Sequence, residues 1–325
     1  MGDAENKKYK VEIKKLPKSE VEIGGEIAAS LLSEARKKAI KKFSEKLDLP
    51  GFRKGHVPEN IVLEKISERE ILEEAANILL NEFYPKIILD EKLDAIGRPK
   101  VSITKLALGN PLEFTVITAV LPEFELPEYK KIAQSVKPSF VESDSTTAGE
   151  EEIDDVVAEI EKNKMKHNFQ DPNELRAKIK ENIIAEKKFR EVEKKRVAMI
   201  DAILEKTDIE LPEILIESEI EKSIAQMKDE ITRAGLKIED YLKEVKKTEE
   251  EIRKDLRLGS EKRAKIQLLF NKIAIAEKLE PNKEILEHEV KHILEHYPEA
   301  KEENARIYVA TQLLNQEVLK LLERN

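Results

Sequence analysis

The sequence predicts an α+β protein with three successive parts. A small N-terminal α+β domain with a protruding helical hairpin is expected over residues 1–120, and an extended acidic linker with a short helix over 121–167. An all-α domain follows over 168–325. Alternating apolar residues at both ends of the first part, proline and acidic residues in the second, and helical periodicity in the third predict this order. A chain of 325 residues is also long for a single core.

The first 47 residues predict two strands and a helix. Apolar and charged side chains alternate over residues 9–13 and again over 21–23, which is the pattern of half-buried strands. Gly24 and Gly25 are expected to end the second strand. A helix is then expected from about Glu26 to Leu47, because its apolar residues recur every three or four positions.

Two further helices are predicted in the N-terminal domain. Pro58 suits the first turn of a short helix that reaches Ile66, since its fixed backbone angle matches the helix. Ser67 and Glu70 have the spacing of a capping box, in which each side chain binds the backbone N–H of the other residue. This box predicts the start of a longer helix that extends to about Glu91.

Strand patterns at residues 99–107 and 112–122 complete the N-terminal domain. The four strands should form one sheet, and the helices should cover its apolar face. In the C-terminal domain the clearest amphipathic helix has an isoleucine-rich stripe over 216–231, between Pro212 and Gly235.

Composition excludes several classes of protein. There is no cysteine, so neither a disulfide framework nor a thiolate site is available, and a reducing cytoplasm is the expected location. No apolar signal segment or membrane span is predicted. The net charge is −9, yet residues 36–56 carry eight Lys or Arg against two acids, whereas 141–161 carry nine acids and no base. This distribution predicts one local contact with an anionic partner.

The segment GFRKGHVP places an aromatic side chain and basic residues in a turn between two predicted helices. Its glycines permit tight backbone angles and its prolines stiffen it, so the turn should have a defined shape. One interpretation is a solvated connector whose aromatic ring folds back onto its neighbours. The other is a docking surface whose cations pair with phosphates or carboxylates beside an apolar contact. The candidate residues are Gly51, Phe52, Arg53, Lys54, Gly55, His56 and Pro58.

This segment resembles the ribosome-docking signature of the trigger factor family, the bacterial chaperones at the peptide exit tunnel. Residues 171–222 also resemble the helical C-terminal domain of that family. The resemblance implies that Phe52, Arg53 and Lys54 contact an exit-tunnel protein and adjacent rRNA. It implies further that the helical domain forms a cradle for unfolded and nascent polypeptides. Release from small apolar contacts should need no ATP, and no sequence motif indicates a nucleotide or other cofactor. His56 stands where the family commonly has a lysine, and a homodimer off the ribosome is left open.

One family feature is not expected here. Typical members insert a peptidyl-prolyl isomerase domain between the linker and the C-terminal helices. In this sequence a predicted helix ending near Lys166 is followed almost at once by the helical domain. An independently folding domain needs about 50 residues or more, so no room remains for it. We therefore expect that the chain is not an enzyme.

A second motif suggests different chemistry. HEVKH, residues 288–292, matches the H-E-x-x-H helix of zinc metallopeptidases. Lys291 puts a cation between the proposed ligands, and no matching third-ligand motif follows. We therefore interpret the match as chance, with His288, His292 and His296 as weak metal ligands at best.

Two further functions compete with a ribosome-docked chaperone. A ribosome-independent holdase would share the cradle and make no use of the GFRKGHVP segment. A nucleic-acid adaptor would bind RNA through residues 36–54, with steep salt dependence.

Overall fold

The protein was analysed as a computed structural model. The structure describes residues 8–49, 52, 57–136, 147–162 and 171–324. The chain divides into two compact units. The first comprises Met1–Glu123 and Ile209–Glu261, and the second comprises Phe124–Asp208 and Lys262–Asn325. The domain limits inferred from the sequence stay a prediction.

The first unit contains the predicted four-stranded sheet, whose strands pair antiparallel. Its strands are β1 (Tyr9–Leu16), β2 (Glu20–Ile27), β3 (Ala95–Lys105) and β4 (Leu112–Val120). They lie in the order β1-β2-β4-β3, so strands from both ends of the segment meet in the centre. The α+β fold class is confirmed.

The prediction that Gly24 and Gly25 end the second strand is wrong, because both lie inside β2. Gly25 pairs with Val11 on one side and Phe114 on the other. A Cβ atom on Gly25 would lie 2.8 Å from the Lys10 carbonyl oxygen, 2.8 Å from Phe114 Cζ and 2.9 Å from Val11 Cγ1. The glycine therefore marks a close approach of an aromatic ring to the strand. Nothing lies within 4 Å of the equivalent position on Gly24.

Three helices complete the N-terminal part of this unit: α1 (Ala29–Lys46), α2 (Glu59–Lys65) and α3 (Glu68–Asp90). Helix α1 begins later than predicted because β2 continues further. The capping box is confirmed: the Ser67 N–H donates to Glu70 Oε2 at 2.9 Å, and the Glu70 N–H donates to Ser67 Oγ at 3.3 Å. These bonds satisfy two donors that the start of α3 would otherwise leave unpaired.

Apolar side chains from α1, α3 and one face of the sheet share a single core. Because strand side chains alternate between faces, the other face of β2 and β4 carries mostly polar residues. The most completely buried members of this core are Ile23, Ile27, Ala39, Val62, Ile71, Ala75, Ala76 and Leu112. Burial of this kind stabilises by about 1.5–3 kcal/mol for each large aliphatic side chain.

The remaining helices of the described residues are, in chain order, α4 (Tyr129–Ser135), α5 (Glu150–Lys162), α6 (Pro172–Leu204), α7 (Glu213–Arg233), α8 (Ile238–Val245), α9 (Glu249–Ala276), α10 (Lys283–His296) and α11 (Glu302–Arg324).

Helices α7, α8 and the first part of α9 form an antiparallel hairpin, called here the arm hairpin (residues 209–261). Glu213 at the start of α7 has Oε2 2.8 Å from Nη2 of Arg257, and Lys228 near the end of α7 has Nζ 3.1 Å from Oε2 of Glu249 at the start of α9. The two helices therefore run in opposite directions. The predicted isoleucine stripe of α7 is buried at Ile216, Ile220, Ile224 and Ile231. This stripe is therefore used for packing.

The close contact at Gly25 yields a stability prediction. Gly25→Ala should lower the free energy of unfolding of the first unit by about 1–3 kcal/mol, because the new methyl group meets backbone and ring atoms that cannot withdraw freely. Hydrogen exchange of β1 and β2 peptides across a urea series measures this loss.

Gly24→Ala is the matched control, since it makes the same chemical change in the same strand with open space beside it. It should leave exchange of these peptides unchanged or slightly slower. Equal destabilisation by the two substitutions would contradict the packing role of Gly25.

Candidate functional site

Phe52 lies in the turn between α1 and α2, residues 47–58. Of residues 51–56 of the GFRKGHVP segment, it is the one that the structure describes. Phe52 is 39% exposed. Its backbone N–H donates to the Leu49 carbonyl at 3.1 Å, which closes a tight turn. The aromatic ring is thus not sealed within the core. Gly51, Arg53, Lys54, Gly55 and His56 lie outside the described residues.

Both ends of this turn are attached to the core. The Leu47 N–H donates to the Phe43 carbonyl at 2.9 Å, and Leu47 and Leu49 pack against the core. On the other side Val57 is buried, and its carbonyl accepts a hydrogen bond of 2.7 Å from Ser44 Oγ. Exposed Pro58 is the N-cap of α2. Leu49 and Val57 are therefore both fixed to the core, while Phe52, which lies between them in the sequence, remains accessible.

Five of the six basic residues of α1 fall into two sets. Arg36 donates two hydrogen bonds of 2.7 Å to Glu68 on α3, and Lys42 forms an ion pair with Glu74, which also lies on α3. The hydrogen bond from Arg36 lowers the pKa of Glu68 below its usual value, so this ion pair persists at neutral pH. These contacts fix α1 on α3.

Lys37, Lys41 and Lys46 form the second set. All three are exposed, and none makes an ion pair with a residue that the structure describes. Their charges remain available to attract an anionic partner towards this end of the unit.

The second unit exposes apolar side chains on α6. Phe189 is 65% exposed and Val192 is 43% exposed, and they lie one helical turn apart on adjacent positions of the helix surface. We call this pair the α6 apolar patch. Glu186 and Arg190 lie beside it and form an ion pair of 2.5 Å. An apolar patch rimmed by charge is the usual form of a weak, unspecific contact surface.

The HEVKH motif lies on α10 and faces solvent. His288 Nδ1 lies 3.2 Å from Glu289 Oε1, and Lys291 pairs with Glu295 at 3.9 Å. Val290 is buried between α10 and α11. Among the described residues no group of three or more His, Cys, Asp or Glu side chains is arranged to hold a metal ion.

A cleft of about 320 Å³ near the β1–β2 turn was not predicted. Lys15, Ser19, Lys92, Asp94 and Glu210 lie among its lining residues. These positions come from separate segments of the chain, so no local motif could have indicated the cleft. Its charged lining points to no particular reaction.

None of the helices in the described part of the chain has the length and apolar character needed to cross a membrane.

Comparison with known proteins places nearly the whole chain in one family. A family model described as bacterial trigger factor protein matches residues 9–160, and a second, described as the C-terminus of the same protein, matches residues 173–324. Trigger factor from Clostridium kluyveri is 23% identical over 422 aligned positions, covering 96% of this chain and 98% of that protein. Trigger factor from Caldicellulosiruptor bescii is 25% identical and covers 89% and 88%.

A solved structure supports the same fold. That structure was solved in a study of promiscuous substrate recognition in the folding and assembly activities of the trigger factor chaperone. It is similar to this chain with a TM-score of 0.59 at 16% identity, and the match covers 97% of this chain and 99% of that one.

The matched ranges leave only residues 161–172 between them. An independently folding domain needs about 50 residues or more. The 422 aligned positions of the C. kluyveri protein also exceed the 325 residues of this chain by about a hundred, which is the size of a domain. The chain therefore belongs to the trigger factor family, in a form that lacks the peptidyl-prolyl isomerase domain.

Proposed function

We propose that this protein is an ATP-independent molecular chaperone that docks at the ribosomal exit tunnel through the GFRKGHVP turn. Its helical surfaces then shield nascent or unfolded chains. Membership of the family is the observation that carries the chaperone role. The exposure of Phe52 in a turn that is attached at both ends supports the docking role.

Docking combines an apolar and an electrostatic contribution. Phe52 is 39% exposed, so burial of its remaining surface against a ribosomal protein would contribute about 1 kcal/mol. Arg53 and Lys54 would pair with rRNA phosphates and release counterions, so affinity should fall as salt rises. Lys37, Lys41 and Lys46 add to the positive potential that attracts the partner.

Client binding uses surfaces that the fold leaves open. The arm hairpin buries its isoleucine stripe, so that stripe is not part of the proposed surface. The α6 apolar patch is exposed and has charged neighbours, which favours brief contacts with apolar segments of many sequences. Small contacts dissociate without nucleotide hydrolysis, and the sequence contains no P-loop.

Partners in this proposal are the ribosome, through the exit-tunnel protein and adjacent rRNA, and unfolded polypeptides, with no membrane and no cofactor. A cytoplasmic location is part of the proposal. Catalysis is not, because the segment that separates the two matched ranges is too short for an isomerase domain. The homodimer off the ribosome stays a prediction.

The docking role predicts the behaviour of a triple variant. Replacing Phe52, Arg53 and Lys54 with Ala should abolish cosedimentation with ribosomes, since both contributions to binding are removed. Far-UV circular dichroism should not change, because these positions lie outside the core helices.

Leu63→Ala on α2 is the control, because Leu63 is 40% exposed and thus matches Phe52 in accessibility. It should cosediment like the parent protein. Undiminished ribosome binding by the triple variant would reject docking through this turn and favour a ribosome-independent holdase.

The electrostatic contribution predicts a separate result. Arg53→Ala with Lys54→Ala should reduce the slope of log affinity against log salt by about one to two, the value expected for two phosphate contacts. Ribosome binding measured between low and physiological salt tests this. An unchanged slope would mean that the two cations make no phosphate contact.

The client role predicts a loss of chaperone activity from the α6 apolar patch. Phe189→Ser with Val192→Ser should raise the concentration needed to suppress aggregation of an unfolded client by about fivefold, which corresponds to ~1 kcal/mol of lost apolar contact. Ribosome cosedimentation should not change.

Leu258→Ser on the arm hairpin is the control, since Leu258 is 78% exposed and lies away from α6 in sequence. If this control reduces activity as much as the double variant, client binding does not depend on the α6 apolar patch.

A further inference from the structure

Three histidines recur every four residues on α10, and the proposed function uses none of them. The sequence motif couples His288 with His292. In the structure the rings in contact are those of His292 and His296, with centroids 4.5 Å apart and an interplanar angle of 72°. His288 instead has Nδ1 3.2 Å from the Glu289 carboxylate. The rings that touch, those of His292 and His296, are thus one helical turn closer to the end of α10 than His288 and His292, the pair in the sequence motif.

Side chains at positions i and i+4 lie on the same face of a helix, about one turn apart along its axis. Two imidazoles in this arrangement can bind one metal ion together. Both His292 and His296 are exposed, so neither is held by packing and both can turn a ring nitrogen to a shared ion.

The charges around this pair favour a cation. Lys291, the cation inside the sequence motif, is paired with Glu295, and its position is rotated by about 100° around the helix from His292. Glu289 lies three residues before His292 on the same face and is 48% exposed at its side chain. It adds a negative charge to this face of the helix, about one turn before His292.

The position of His292 and His296 at the end of α10 also favours binding of a cation. Helix α10 ends at His296, where the last carbonyl groups give the helix terminus a partial negative charge. A metal ion held by His292 and His296 lies at this end. An ion held by His288 and His292 would lie a full turn further from it.

We propose that His292 and His296 form a two-imidazole site for a divalent transition metal, with water in the remaining positions. Imidazole nitrogens suit Zn²⁺, Ni²⁺ and Cu²⁺, whereas Mg²⁺ prefers oxygen ligands. Only two protein ligands are supplied, which agrees with the absence of any three-ligand group among the described residues. The proposal is limited to metal binding and assigns no hydrolytic role to Glu295, the acid between the two ligands, which lies 3.9 Å from Lys291.

Binding at this site should stabilise the α10–α11 pair. The ion connects the last turn of α10 to the preceding one, and Val290 on that helix packs against Ala305 and Val309 of α11. An ion that binds the folded helix and not the unfolded chain raises stability by mass action.

Isothermal titration calorimetry of the full chain with ZnCl₂ tests the site, with MgCl₂ as the control ion. One Zn²⁺ should bind per chain, and Mg²⁺ should give no saturable heat. His292→Ala and His296→Ala should each weaken Zn²⁺ binding by about a hundredfold, because a chelate of two linked ligands becomes a single imidazole. His296→Gln, which keeps volume and polarity, should weaken it equally.

His288→Ala is the matched control and should change Zn²⁺ affinity by less than about twofold, since this ring faces Glu289. Loss of affinity in His288→Ala as large as in His296→Ala would overturn the proposed pairing. Absence of saturable Zn²⁺ binding, or binding that all three alanine variants retain, would overturn the site itself.

Discussion

The packing of α1 and α3 on one face of the four-stranded sheet is the constraint on which the proposed docking surface depends. This core is continuous up to Leu49 on one side of the α1–α2 turn and Val57 on the other. The sheet contributes its central strands to that core, and the ring of Phe114 fits there because Gly25 has no side chain. Between the two attachment points Phe52 keeps 39% of its surface exposed. Its exposure follows from the extent of the core.

The same packing divides the basic residues of α1 by function. Arg36 and Lys42 are neutralised by acids on α3 and hold the helix in place. Exposed ion pairs contribute little individually, so their main effect here is to fix orientation while apolar burial supplies stability. The exposed lysines of α1 keep their charge towards solvent. A protein with a net charge of −9 can therefore still present a local positive surface.

Features with local causes could be predicted from the sequence. The capping box at Ser67 and the short helix that follows Pro58 depend on neighbours within a few positions, and both are present. Gly25 was misjudged because its partner, Phe114, is distant in the chain and only the folded sheet brings them together. The isoleucine stripe of α7 was visible, but whether it stays open depends on α9. The histidine pairing on α10 depends on side-chain rotamers that spacing does not determine.

Docking through the α1–α2 turn requires that the ring at position 52 contacts the ribosome. A photoreactive phenylalanine analogue placed at position 52 tests this directly, with the same analogue at the equally exposed position 63 as reference. Position 52 should give a strong covalent adduct with a component of the exit-tunnel region, and position 63 should give little. Equal adducts from both positions, or none from position 52 while the protein still cosediments, would contradict it.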